Sequence, residues 1–159
     1  MYRFIVFILS LMLFAGCDQT PTGRDQLALM PDTMMADFGR QTFLQMQQQT
    51  PVSDDEAANQ EVQCVATQIL AHLANRFPGN ALPQRWEIVV FADPNPNAFA
   101  LPGGKIGVNE GLLAVAASDD QLAAVIGHEV GHVLARHSNE RLTQQLGIRT
   151  VLFLSLIHI

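Results

Sequence analysis

The spacing of hydrophobic and polar positions predicts a mainly helical chain with short strands in its middle. Over residues 33–49 apolar side chains recur at helical spacing, and a break follows at Pro51. Along residues 53–76 a second apolar stripe predicts the clearest helix of the chain, and its members are Val62, Val65, Ile69 and Leu73. The run Ser-Asp-Asp-Glu that begins at Ser53 fits a capping box that would open this helix.

The middle of the chain has the composition of short strands. Residues 86–91 form a β-branched and aromatic run bounded by prolines, which predicts one strand. Residues 98–101 and 105–108 flank the turn sequence Pro-Gly-Gly, and this arrangement predicts an antiparallel hairpin. A short apolar helix is expected over residues 110–117.

The next periodic segment predicts the helix that carries the candidate chemistry. Ser118 and Gln121 fit a second capping box, and the predicted helix runs from there to about residue 137. Its apolar side is formed by Leu122, Val125, Ile126 and Val133. Gly127 and Gly131 are unusual inside a helix, since each costs up to about 1 kcal/mol relative to Ala. We expect them to mark a strand that crosses the helix closely, with glycines that have no packing role as the alternative.

The sequence His128-Glu129-Val130-Gly131-His132 lies within this predicted helix. Its two imidazoles are one turn apart on the same face, so both can bind one Zn²⁺ ion. A catalytic zinc site uses three protein ligands and leaves one position for water. Glu129 would take a proton from that zinc-activated water as general base, and no covalent intermediate is needed.

The amino terminus has the pattern of an export signal. Arg3 precedes a run of eleven mostly apolar residues over 4–14, which is too short for a membrane span and predicts a signal peptide over 1–16. Phe14-Ala15-Gly16-Cys17 resembles the bacterial lipobox, so Cys17 is the expected lipidation site. Residues 17–32 would then be a polar tether in the bacterial cell envelope, facing the periplasm, on either the outer or the inner membrane.

Composition narrows the class of partner. The 159 residues are 48% hydrophobic and 15% charged, which fits one globular domain, and the net charge of -6 argues against nucleic acid as a partner. Cys64 is expected to be a small buried hydrophobe, with a disulfide partner outside this sequence as the alternative. His72 is expected to be a partly exposed helix histidine.

The motifs taken together resemble metallopeptidase family 48, with its HtpX-like and periplasmic lipoprotein zinc peptidases. The resemblance rests on three segments: Asn97-Ala98-Phe99-Ala100-Leu101-Pro102-Gly103-Gly104, Asn109-Glu110-Gly111-Leu112-Leu113, and residues 123–132 with Arg136-His137. It implies an α+β fold, a mainly helical gluzincin-type zincin with a small antiparallel sheet over the active-site helix. It also implies that the edge strand Asn97, Ala98, Phe99 and Ala100 binds an extended peptide substrate. The third zinc ligand of the family is a Glu on a later helix.

No residue of this sequence is expected to supply that third ligand. Glu140 is the only carboxylate after His132 and would lie about 12 Å further along a continuous helix. A metzincin pattern is excluded by Ala135 and Ser138. His137 is better interpreted as a residue at the helix end or as one that contacts a zinc ligand rather than the metal. We therefore expect a partial peptidase domain over 33–150, truncated before the third ligand and weak or inactive by itself.

Residues 151–159 form an atypical apolar tail, so His158 is not expected to be a ligand. The predicted function is zinc-dependent hydrolysis of peptide bonds in peptide or unfolded envelope-protein substrates. The alternative is a non-catalytic envelope lipoprotein that acts as a binding or assembly module. The intact Glu129 counts against this alternative, because a binding module needs no general base.

Overall fold

The computed structural model describes residues 17–77 and 82–157, with side chains described for 19–77 and 82–147. The signal peptide expected over residues 1–16 lies outside this part, as does His158. In chain order the elements are β1 (Cys17–Gln19), β2 (Asp25–Leu27), α1 (Asp32–Gln49), α2 (Glu56–Arg76), β3 (Glu87–Phe91), β4 (Ala98–Leu101), β5 (Lys105–Asn109), α3 (Glu110–Leu113), α4 (Asp119–Leu134) and α5 (His137–Ile157).

The predicted helices and strands are present, and the α+β arrangement is confirmed. The helix expected over 110–117 is shorter than predicted and ends at Leu113. The central sheet has three strands in the order β3-β5-β4. β4 and β5 form the predicted antiparallel hairpin, but β3 lies parallel to β5. The sheet is therefore mixed rather than antiparallel, because the chain passes from β3 to the far edge and returns through the middle.

Helices cover both faces of this sheet. Alternate side chains of the strands point to opposite faces, and the face with Ala98 and Ile106 packs against α2 and α4 in the main hydrophobic core. On the other face Phe99 and Phe91 pack against Phe43 of α1, with ring centroids 5.9 to 6.3 Å apart. β4 therefore lies between α1 and α4, and it crosses the helix that carries the His-Glu-His sequence.

The start of α2 differs in detail from the prediction. The residue that caps it is Asp55, whose carboxylate accepts hydrogen bonds from the Ala57 and Ala58 amides at 2.9 and 3.0 Å. Ser53 is buried two residues earlier, where its hydroxyl accepts from the Asp55 amide and donates to Glu110. The assignment of Ser53 as the cap was wrong, because a second good capping residue stands two positions later.

The helix predicted to run to residue 137 is divided in two. α4 ends at Leu134, and Arg136 adopts a left-handed conformation with φ 51° before α5 begins. The sequence has neither Gly nor Pro at this break. The prediction therefore extended the helix past residue 134. Ser118 caps α4 as predicted, accepting from the Gln121 amide at 3.4 Å.

The segment expected to be a polar tether carries additional structure. β1 and β2 pair as a small antiparallel sheet, and the chain after β2 runs along α5. The buried Asn139 side chain accepts from the Met30 amide at 3.2 Å and donates to the Met30 carbonyl at 2.7 Å. Thr143 accepts from the Leu29 amide at 3.0 Å. These contacts fix the segment to the start of α5.

Two further expectations concern surface residues. Cys64 is exposed on α2, so the expectation of a buried hydrophobe was wrong; the apolar stripe of this helix lies on its Val62 and Val65 side. His72 is exposed, as expected. Of the helices in the described part of the chain, none is both long and apolar enough to cross a membrane.

Candidate metal centre

The apolar stripe of α4 determines which way the candidate ligands point. Leu122, Ile126 and Val130 recur every four residues and are fully buried in the core. His128 and His132 each follow a buried position by two residues, or about 200° around the helix axis. Their side chains therefore lie on the opposite side of α4, with His128 exposed and His132 half-buried.

The structure brings the three residues of the motif into one cluster. His128, Glu129 and His132 offer ligand atoms that all lie within 4.8 Å of one another. The Nε2 atoms of the two histidines are 3.1 Å apart, and the rings meet edge to face. Two nitrogens bound to one tetrahedral zinc at about 2.05 Å would be roughly 3.3 Å apart, so the pair fits a zinc ion.

A third histidine contacts the cluster from the start of α5. His137 Nδ1 lies 2.5 Å from His132 Nδ1, with the ring centroids 4.8 Å apart. Burial lowers the pKa of the His137 imidazole, and the neighbouring His132 and Arg24 lower it further. A neutral His137 can accept a hydrogen bond from His132. His137 therefore stands at a helix end, and its ring contacts His132.

Glu140 does not join the cluster of His128, Glu129 and His132. Its carboxylate forms an ion pair with Arg24 of the amino-terminal hairpin. The prediction excluded Glu140 on the assumption of one continuous helix, and that assumption was wrong because α4 ends at Leu134. Among the residues with described side chains, the group able to hold a metal ion consists of His128, Glu129 and His132 alone.

The strand that crosses α4 has one free edge in the described sheet. Asn97 and Asn109 are opposite each other, and the Asn97 carbonyl accepts from the Asn109 amide at 2.9 Å. Because hydrogen-bonded pairs alternate along an antiparallel ladder, Phe99 also bonds to β5 through its backbone. The backbone N–H and C=O groups of Ala98 and Ala100 consequently point away from β5, toward the free edge.

The four residues expected to bind substrate differ in which of their groups are accessible to a ligand. Asn97 is exposed, while the small side chains of Ala98 and Ala100 face the core beside α4. Phe99 turns its ring to the opposite face, over Gly107, where a Cβ atom would overlap the ring. The side chain of Phe99 holds the strand in place, and the outward backbone groups of its neighbours remain for a ligand.

The prediction that a strand packs closely over Gly127 and Gly131 of α4 was wrong. Apart from the adjacent residues and the nearby backbone of α4 itself, no described atom lies within 4 Å of a Cβ built at Gly127 or at Gly131. The closest approaches among the described glycines occur elsewhere, where the added Cβ would overlap another part of the chain: at Gly39, Gly104, Gly107 and Gly111. β4 passes over a different side of α4, so nothing described requires glycine beside the histidines.

A cavity of about 160 Å³ adjoins His132 at the end of β4. Its walls include apolar side chains of Met35 and Val133 and the backbone turn that follows β4. An ion pair between Arg136 and Asp32, with an N–O distance of 2.6 Å, forms another part of the wall. The cavity has room for one side chain of a bound peptide.

Three curated proteins show what the chain is similar to. It is 46% identical over 71 residues to the mitochondrial metalloendopeptidase OMA1 of Schizosaccharomyces pombe, and 31% identical over 134 residues to the mitochondrial metalloendopeptidase OMA1 of Danio rerio. It is 27% identical over 108 residues to a putative beta-barrel assembly-enhancing protease of Vibrio cholerae. The alignments cover 45%, 82% and 68% of this chain, respectively.

The same alignments cover 21%, 28% and 21% of the three relatives, so the chain spans about a fifth to a quarter of their length. The model of peptidase family M48 matches residues 56–159, which include α2, the whole central sheet and the helix with the histidine pair. A match over that much of the sequence shows that the chain belongs to peptidase family M48.

Proposed function

We propose that the chain supplies two zinc ligands and the general base of a zinc metalloendopeptidase. The observation that carries the proposal is the cluster on α4, in which the Nε2 atoms of His128 and His132 lie 3.1 Å apart beside Glu129. Imidazole nitrogens at this separation suit one zinc ion. The family membership and the relatives' names as metalloendopeptidases support the same activity.

In this proposal each residue of the cluster has a separate role. His128 and His132 hold the metal, which when bound polarises the scissile carbonyl and makes water a stronger acid. Glu129 follows the first ligand, so its carboxylate lies beside the metal position and can accept a proton from the attacking water. The same group would then return the proton to the leaving amine.

We propose that substrates bind as an additional strand along β4. The outward N–H and C=O groups of Ala98 and Ala100 would form main-chain hydrogen bonds with an extended peptide. Main-chain bonding requires an unfolded or extended segment, because folded strands and helices have already paired these groups. The cavity beside His132 would accommodate one side chain of the bound segment.

Envelope proteins are the proposed source of these segments. The apolar run before Cys17 and the lipobox-like residues support export and lipid anchoring, and the name of the Vibrio cholerae relative concerns β-barrel assembly. Mass spectrometry of Cys17 after expression in a Gram-negative host tests the anchor. We expect a diacyl or triacyl adduct on Cys17, which Cys17→Ala abolishes, and an unmodified cysteine would contradict this part of the proposal.

Hydrolysis of fluorescently quenched casein by the purified chain with added zinc tests the catalytic proposal. We expect slow, chelator-sensitive cleavage, and Glu129→Gln should lower the rate by about 10²- to 10⁴-fold because it removes the general base. The exposed Glu61→Gln on α2 is the matched control and should leave the rate unchanged. Chelator-sensitive cleavage that Glu129→Gln does not alter would contradict the proposal, because Glu129 would then not be the general base.

A further inference from the structure

The connection between α4 and α5 adopts an unusual backbone conformation directly beside the metal cluster. Arg136, with φ 51°, is the one non-glycine residue with positive φ in the described parts of the chain. Such a conformation is uncommon for a residue with a β-carbon, and it persists only where surrounding contacts hold it. The Arg136 side chain is held by its ion pair with Asp32 of α1.

The unusual connection changes where His137 points. In a continuous helix a residue five positions after His132 would be displaced by roughly 140° around the axis, on another face. The break instead returns His137 to the side of His132, with their Nδ1 atoms 2.5 Å apart. A helix that continued through Arg136 would not bring these two rings together.

The two nitrogens of the His132 ring have different partners. Nε2 faces Nε2 of His128, at the position proposed for the metal, whereas Nδ1 faces Nδ1 of His137. A neutral imidazole carries its proton on one nitrogen and its lone pair on the other. A proton held on Nδ1 therefore leaves the lone pair of Nε2 directed toward the metal position.

We propose that His137 is a positioning residue that accepts the Nδ1–H hydrogen bond of His132 and thereby fixes the tautomer and ring orientation of that ligand. The inference rests on the proposed zinc site. His137 is not a ligand itself, because its Nδ1 meets His132 on the side of the ring opposite the metal position. It lies outside the cluster of His128, Glu129 and His132.

Zinc affinity gives a readout that does not depend on catalysis. The zinc dissociation constant of the full chain would be measured by competition with a chromophoric chelator, with a melting curve recorded for each variant. His137→Ala should weaken zinc binding by about 10- to 100-fold, the usual effect of removing a group that orients a ligand. His137→Asn places a carbonyl oxygen near the same position and should retain affinity within about threefold of the wild type.

Two further variants separate the hydrogen bond from other effects. His137→Phe keeps the bulk of the ring without an acceptor, so it should match His137→Ala and replaces it if the smaller side chain prevents folding. His72→Ala removes an exposed helix histidine remote from the site in sequence and should leave zinc affinity unchanged. The variant His128→Ala removes a proposed zinc ligand, and its zinc affinity shows the loss expected when the site is destroyed.

The tautomer can be observed directly in the metal-free protein by imidazole ¹⁵N NMR at neutral pH. We expect His132 to carry its proton on Nδ1 in the wild type and in His137→Asn, and to lose this preference in His137→Phe. A wild-type His132 protonated on Nε2 would overturn the inference. So would wild-type zinc affinity in His137→Phe, or a loss in His137→Asn as large as in His128→Ala.

The two measurements also distinguish this inference from the proposed function. A chain whose zinc binding is indifferent to His128→Ala would contradict the proposed metal site, whatever the NMR result. A chain whose zinc binding requires His128 but not the acceptor at position 137 would leave the proposed function standing and overturn the role of His137.

Discussion

Replacing Gly127 by alanine should stabilise the protein, and replacing Gly107 by alanine should destabilise it. Both residues are glycines inside regular elements, one in α4 and the other in β5. Sequence alone does not separate them. The structure separates them, because a Cβ at position 127 meets nothing described within 4 Å beyond its neighbours and the nearby backbone of α4, whereas a Cβ at position 107 overlaps the ring of Phe99.

The expected magnitudes follow from these surroundings. Alanine inside a helix is favoured over glycine by about 0.8 to 1.0 kcal/mol, so Gly127→Ala should raise the free energy of unfolding by nearly that amount. Gly131→Ala has the same open surroundings and should give a similar gain. Gly107→Ala forces Phe99 against Phe43 and Phe91, and overpacking of this kind costs about 1 to 3 kcal/mol.

Urea unfolding followed by circular dichroism gives the free energies, and thermal melts give a second estimate. A gain of about 1 kcal/mol corresponds to a rise in Tm of roughly 2 to 4 °C for a chain of this size. A Gly127→Ala variant that is less stable than the wild type would refute the reasoning, as would a neutral Gly107→Ala. The first result would mean that another group lies against α4 beside His128.

Three further predictions concern the start of α2, the amino-terminal segment and the edge strand. Asp55→Ala should cost about 0.5 to 2 kcal/mol because it removes the cap, whereas Asp54→Ala should change the stability little; equal losses in urea unfolding would argue against Asp55. Asn139→Ala should cost about 1 to 3 kcal/mol in the same assay, since it leaves both Met30 backbone groups unpaired, and a neutral effect would contradict the docked segment. Ala100→Pro removes an outward N–H and should raise KM severalfold with the fold retained, while an unchanged KM would argue against strand pairing.

The elements that periodicity describes well were predicted with bounds within a few residues. α2 and α4 each bury a stripe of side chains spaced by three and four, and this stripe is visible in the sequence. In α1 the helix was predicted but its buried face was not: the expected stripe included Phe38, which is exposed, whereas Phe43 is buried. The hairpin of β4 and β5 was equally visible, because Pro102, Gly103 and Gly104 specify its turn. The histidine pair could be placed on one helix face for the same reason of spacing.

The features that sequence reasoning missed depend on contacts between distant residues. The parallel pairing of β3 with β5 joins positions 18 residues apart, such as Ile88 and Ile106, and leaves no local signal. The break at Arg136 has no glycine or proline to announce it. The docking of the amino-terminal segment depends on Asn139 and Thr143, two polar residues that become buried only through the contact itself.

The central claim is that α4 binds one zinc ion through His128 and His132, and a calorimetric zinc titration of the purified chain tests it most directly. The account predicts one zinc per chain, binding that is lost in the His128→Ala and His132→Ala variants, and unchanged stoichiometry in Glu129→Gln and His72→Ala. A wild-type chain that binds no zinc, or histidine variants that bind it as the wild type does, would contradict the account.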